Sequence, residues 1–159
     1  MNSRYPIFAI AAAAFIAGCE SKPAQQADTT SVAAAAPASL YDRLGGTAAI
    51  ATVVDAFVAN VAADTRINQR FGRVAGDTAA MRQFKQKLVD QVCAGAGGPC
   101  TYTGLDMKTA HQGMAITAAD FGALVEDLVK ALDGAGVPQR EKDDLLAILG
   151  PMQADIVGK

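Results

Sequence analysis

The chain has 159 residues, 51% of them hydrophobic and 19% charged, which is enough material for one folded domain and excludes a chain disordered throughout. A formal net charge of -2, with no cluster of Lys and Arg, argues against a phosphate-backbone partner and so against nucleic acid. Trp is absent, aromatic residues make up only 6%, and Ala, Leu and Val dominate, which favours helix over strand.

Residues 1–18 read as an export address rather than as part of a fold. Arg4 precedes the apolar run Ile7 to Ile16, which is too short to span a bilayer as a mature helix. Ile16-Ala17-Gly18-Cys19 follows and resembles the bacterial lipobox, which implies cleavage before Cys19 and lipid on that residue. An ordinary secretory signal would export the chain equally. Each buried acyl CH₂ contributes about 0.8 kcal/mol, so several chains would hold the protein stably on a membrane. Residues 19–39 carry no large apolar side chain beyond Val32 and read as a flexible Ala/Pro/Ser linker, leaving 40–159 as the folded domain. Glu20 after the lipid-bearing Cys points to the outer membrane of a Gram-negative envelope, with the domain on the periplasmic side.

With Cys19 assigned to lipid, Cys93 and Cys100 remain as an even pair in a compartment where disulfides persist. A zinc site would need four ligands at suitable spacing, and a redox pair would need Cys-x-x-Cys; neither pattern is present.

From Leu40 onward the apolar spacing follows a period near 3.6 and predicts an all-α domain. A first turn over Leu40 to Leu44 ends at Gly45-Gly46. A helix from about Thr47 then carries Ile50, Val53, Val54, Phe57, Val58 and Val61 on one face. Asp64 should cap a short corner leading to Phe71, and Gly72 to Asp77 reads as loop. The helix from Thr78 to Ala94 has Met81, Phe84, Leu88 and Val92 as its stripe, with Lys85, Lys87, Asp90 and Gln91 to the sides or outside. Gly95, Gly97, Gly98 and Pro99 stop it. Thr117 and Asp120 form a capping-box variant ahead of Phe121, Leu124, Val125, Leu128, Val129 and Leu132. Pro138 suits the first turn of a last helix with Leu145, Ile148, Leu149, Met152 and Ile156 inward, and Pro151 predicts a kink within it.

The stretch Tyr102 to Met114 holds the only histidine, His111. A lone histidine is more often a packing or hydrogen-bonding residue than a ligand, so its surroundings decide. Those surroundings are Leu-Tyr-Asp-Arg-Leu-Gly-Gly at 40–46, Asp-Ala-Phe at 55–57 with Phe71 following, Gly-Gly-Pro at 97–99, and Tyr-Thr-Gly with Met-Lys-Thr-Ala-His-Gln-Gly at 102–113. In that order, and from Leu40 to about Ile156, the chain resembles the truncated haemoglobins, most nearly the first group, of protozoan and cyanobacterial type. The resemblance implies a globin-like two-over-two helical sandwich around haem b (iron protoporphyrin IX). It implies His111 as the proximal ligand of the iron, its other ring N–H donating to a nearby backbone carbonyl. It also implies Phe71 packed on the porphyrin, Phe57, Met107, Phe121 and Val125 lining the group, and Lys87 within reach of a propionate.

On the distal side the chain departs from that family. A tyrosine usually follows the phenylalanine of the second helix, and a glutamine stands in the distal helix; Val58 and Leu88 occupy these places here, with Phe84 one turn earlier. None can donate a hydrogen bond, so faster oxygen loss or autoxidation is expected. A one-residue slip across Gly72 to Asp77 would bring Lys87 or Gln91 into the pocket instead. The leading expectation is an exported, membrane-anchored globin that binds a diatomic gas (O₂, NO or CO) rather than an enzyme. The alternatives are a haem redox, NO-detoxifying or peroxidase-like enzyme with a redox partner, and a haem-free helical lipoprotein.

Overall fold

The computed structural model describes residues 37–159; the export signal, Cys19 and most of the linker lie outside the described residues. Helix α1 (Leu40–Arg43) is started by a capping box, in which Ser39 Oγ accepts from the Asp42 N–H and the Asp42 carboxylate accepts from the Ser39 N–H. The chain then reverses at Gly45 and Gly46, whose φ values of 90° and 75° lie in the left-handed region. Helix α2 (Gly46–Ala63) follows and buries Ile50, Val54, Phe57 and Val61, spaced to form one face of a helix.

Asp64 caps the corner as expected: its carboxylate accepts from the backbone N–H and the guanidinium of Arg66, while its carbonyl takes the N–H groups of Ile67 and Asn68. One stretch differs from the expectation. Gly72 to Asp77 is not all loop, because the 3-10 turn Asn68–Phe71 runs directly into the one-turn helix α3 (Gly72–Ala75). Backbone bonding here needs no apolar periodicity, so pattern reading passes over it.

Helix α4 (Thr78–Gly95) starts at Asp77, whose Oδ1 accepts from the N–H groups of Ala79 and Ala80. Its most buried residues are Val89 and Cys93, packed with Ile50 and Val54 of α2. The short helix α5 (Met107–His111) comes next, and α6 (Ala118–Gly134) is entered through the predicted Thr117/Asp120 capping box. Pro138 lies just before α7 (Gln139–Leu149) rather than in its first turn. Pro151 breaks the end into a 3-10 turn (Gly150–Met152) and helix α8 (Gln153–Ile156), the interruption its sequence predicted.

Among the described residues every regular element is helical. Helix α2 is the hub, packed on α4 along one side and on α6 along another. Small residues make the α2–α6 approach: Ala123 and Ala131 join Phe57, Val61 and Ile67 in one buried cluster, and Asn60 Nδ2 donates to the Asp127 carbonyl at 3.1 Å. The predicted α6 stripe of Phe121, Leu124, Val125, Leu128 and Val129 is only half-buried, because α6 meets α2 through these smaller side chains. Leu132 of α6 and Leu145 of α7 share a second cluster with Leu40, and Arg43 pairs with Glu141 at 2.7 Å. Helix α2 packs on both α4 and α6, and α7 joins α6 through the Leu132–Leu145 cluster, in an all-α two-over-two arrangement.

Cys93 and Cys100 are joined by a disulfide, with Cα atoms 5.7 Å apart. Closing so short a loop constrains the unfolded chain by about 2–3 kcal/mol. Gly98 sits inside that loop, where a Cβ would come within 2.5 Å of the Tyr41 ring and 2.7 Å of Cys93 Sγ.

Asp127 is only 6% exposed and its Oδ2 has no hydrogen-bond partner. Burial pushes its carboxyl above the usual carboxylate range; Asp64 and Glu126 add to the rise, while Arg66 and Lys130 oppose it. A raised carboxyl pKa means that the folded chain holds the proton more tightly than the unfolded one. The resulting stability is present below the ordinary carboxylate range and is lost as pH rises through the folded value. Asp127→Asn should therefore raise Tm near pH 7, with the gain shrinking towards about pH 4 in calorimetric scans. A shift of equal size at both pH values would show that the charge is not responsible.

Candidate functional site

Helix α5 has five residues, too few to be stable on its own sequence. Its entry is fixed by Asp106, whose carboxylate accepts from the Thr109 N–H at 2.9 Å and is held below the usual carboxylate range chiefly by the Thr109 side chain and next by that backbone bond. Upstream, Tyr102 donates its hydroxyl to the Leu105 carbonyl at 2.8 Å, and its ring lies so close over Gly104 that a Cβ there would stand 2.2 Å from the hydroxyl oxygen. Downstream, the Met114 N–H donates to the His111 carbonyl at 3.1 Å, and the Gly158 N–H donates to the Ile116 carbonyl at 2.9 Å. Helix α5 packs against α8.

His111 is partly buried, and its Nδ1 stands 2.7 Å from the Met107 carbonyl one turn earlier. A carbonyl can only accept, so Nδ1 carries the proton and Nε2 keeps its lone pair for a metal. Among the described residues there is no group of three His, Cys, Asp or Glu side chains that could hold a metal ion. A single imidazole can serve iron only where a macrocycle supplies the remaining donors, and the oriented nitrogen of His111 fits that requirement.

Across the fold, α2, the Asn68–Phe71 turn, α3 and α4 enclose a cavity of about 230 Å³. Phe57, Val58, Val61, Ala62, Phe71 and Phe84 form most of its wall, with Met81 and Ala75 at one side and Asn68 as the one polar residue. Phe71 and Phe84 pack with ring centroids 5.8 Å apart and planes tilted by 57°. This space is below the roughly 300–1,000 Å³ of pockets that enclose a drug-sized ligand.

The structure thus brings Phe57, Val58, Phe71 and Phe84 together, with Leu88 packed on the cluster that contains Phe57 and Val61. Met107 lies one turn before His111 on α5, and Phe121 and Val125 are half-buried on α6; none of these lines the cavity. Lys87 is exposed. Gln91, expected to the side or outside of the α4 stripe, is partly buried and donates to the sulfur atoms of Met107 and Met152. Met81, assigned only to the helix stripe, lines the cavity.

Sequence reasoning also missed Arg70. Its Nη1 donates to the Met114 carbonyl and its Nη2 to the Asp120 carboxylate, both at 2.9 Å, joining the wall that carries Phe71 to the corner between α5 and α6. These partners lie 44 and 50 residues away, and no local pattern signals them. The Arg70 Nε is buried without a partner.

Two-over-two packing, a short imidazole-bearing helix and an apolar cavity walled by α2 and α4 define a globin. Residues 39–157 match a family model described as bacterial-like globin. The group 1 truncated hemoglobin GlbN of Mycolicibacterium paratuberculosis is 39% identical over 77% of this chain and 86% of its own. That of Tetrahymena pyriformis is 31% identical over 77% of this chain and 98% of its own. The Fe(III) crystal structure of the Tetrahymena pyriformis protein superposes with a TM-score of 0.69 at 29% identity, over 77% of this chain and 100% of that one. The cyanomet 2/2 hemoglobin of a Synechococcus species, which has covalently attached heme, gives 0.69 at 32%, again over 77% and 100%. The chain belongs to the group 1 truncated haemoglobins, a family that implies haem as cofactor.

Arg70→Ala removes two hydrogen bonds to the corner after His111 and leaves the Asp120 carboxylate with its Thr117 N–H partner alone. It should lower Tm by roughly 5 °C in a thermal melt, whereas Arg73→Ala, at an exposed position on α3, should leave it unchanged.

Proposed function

We propose that this globin binds a diatomic ligand at haem iron held by Nε2 of His111, with Val58, Phe84 and Leu88 on the opposite, distal side. The observation that carries the reading is the 2.7 Å contact between His111 Nδ1 and the Met107 carbonyl. It fixes the tautomer and the ring plane, so the free nitrogen is aimed before any metal arrives. Haem, when bound, would supply the iron at which the gas binds, and Nε2 of His111 would hold it. The protein supplies the rest. Phe71 and Phe84 keep the distal side dry, and the cavity walled by Phe57, Val58 and Val61 gives a small apolar ligand a place of low polarity. None of these walls offers a proton, so a reaction that needs one at the bound ligand gains no help there. Haem b is the form proposed, and it is held without a thioether link, since Cys93 and Cys100 are bonded to one another and leave no thiol in the described residues.

Ultraviolet–visible spectra of wild type and His111→Ala in ferric, ferrous and CO-bound forms test this reading. Wild type should show a Soret band that shifts with CO, and the variant should lose the haem or bind it without the imidazole-ligated signature. Equal spectra in both proteins would remove His111 from the site.

We further infer that the domain is carried on a lipid attached to Cys19, on the periplasmic side of the envelope, with residues 20–39 as the tether. The lipobox-like Ile16-Ala17-Gly18-Cys19 supports this. Cys19→Ser should move the protein from the membrane fraction to the soluble periplasmic fraction, and unchanged sedimentation with membranes would count against the anchor.

A further inference from the structure

We infer that Gln91 is a positioning residue, which ties α4 to the helix carrying His111 and shapes the floor on which the tetrapyrrole edge rests. The inference builds on the haem reading above. Gln91 follows Phe84 by seven residues, which brings it to within about 20° of Phe84 around the helix axis. It therefore continues the face of α4 that lines the apolar cavity, two turns further along. A polar amide on such a face needs a reason, because burying an amide without good partners is costly.

Its partners are unusual. Gln91 Nε2 lies 3.1 Å from Met152 Sδ and 3.6 Å from Met107 Sδ, so one amide group touches three elements: α4, α5 and the 3-10 turn before α8. Thioether sulfur is a weak acceptor, and an amide directed at two of them gives direction to side chains that otherwise adapt to whatever surrounds them. Met107 is also the residue whose carbonyl receives the His111 Nδ1–H at 2.7 Å. The two contacts act on one residue from both ends: the Met107 sulfur is held from α4, and its carbonyl holds the imidazole. Helix α5 is too short to set its own position, so its distance from α4 is governed by such contacts. The neighbouring cation on this helix, Lys87, is exposed and makes no comparable link.

The experiment compares wild type, Gln91→Leu and Met152→Leu, each loaded with haem. Three quantities are measured: the iron–histidine stretching mode of the ferrous form by resonance Raman, the rate of haem transfer to an excess of a high-affinity apoprotein acceptor, and the melting of the haem-free chain. Leu has nearly the size of Gln but cannot donate. Gln91→Leu should shift or broaden the iron–histidine mode and speed haem loss by about two- to tenfold. Met152→Leu, which removes one acceptor and keeps the other, should do the same to a smaller extent. A change in haem-free melting with an unmoved iron–histidine mode in both variants would make Gln91 an ordinary packing residue and overturn the inference. Should Gln91→Leu fail to fold, Met152→Leu decides by the same two readouts. A wild type without any Soret band would instead overturn the haem reading itself.

Discussion

One hydrogen bond, from His111 Nδ1 to the Met107 carbonyl, sets the plane of the chain's one imidazole, and the surrounding fold reads as a set of devices that hold it. An imidazole on a long, well-packed helix would be held by the helix. Here the helix has five residues, and its order is borrowed from its two ends. The Asp106 cap, the Tyr102–Leu105 bond, the Arg70 contact with the Met114 carbonyl and the pairing of residues 115–116 with 158–159 supply that order from four directions. Each is a modest interaction, worth about 1 kcal/mol net or somewhat more where charge takes part. Together they leave the ring little freedom.

The wall of the apolar cavity is built on the opposite principle. Helix α2 is a hub that approaches α6 through Ala123 and Ala131, and Phe57 and Val61, packed in that same cluster, continue into the cavity wall with Val58, Phe71 and Phe84. Small residues at one contact and bulky ones at the next let two helices pack tightly while a gap stays open nearby, since tight packing elsewhere prevents collapse into it. The cost of the close approach appears at Asp127, a carboxyl buried beside Asn60 with one oxygen unbonded.

Much of this was legible in the chain itself. The helices, the Thr117/Asp120 cap, the interruption at Pro151 and the pairing of Cys93 with Cys100 follow from periodicity, capping chemistry and cysteine count, all local or nearly local signals. The family assignment rested on ordered landmarks such as Tyr-Thr-Gly and Met-Lys-Thr-Ala-His-Gln-Gly, and the fold agrees with it. The parts not legible share a cause. Arg70 and Gln91 act across 16 to 61 residues of sequence, where a hydrogen-bond partner leaves no periodic trace. Helix α3 and the turn before it are held by backbone bonds, so composition alone made them look like loop. Periodicity sets Gln91 to the side or outside of the α4 stripe, but it says nothing of the two sulfur atoms that its amide meets.

The staple between Cys93 and Cys100 has a kinetic side. Cys93 has no exposed surface, whereas Cys100 is partly open. A thiolate entering the bond must strike the outer sulfur and expel the inner one into an apolar surround of Ile50, Val54 and Val89, where a departing anion is poorly solvated. The crosslink, once formed, should therefore yield to small thiols only when the end of α4 opens, so that its lifetime is set by local unfolding rather than by the surrounding thiol pool.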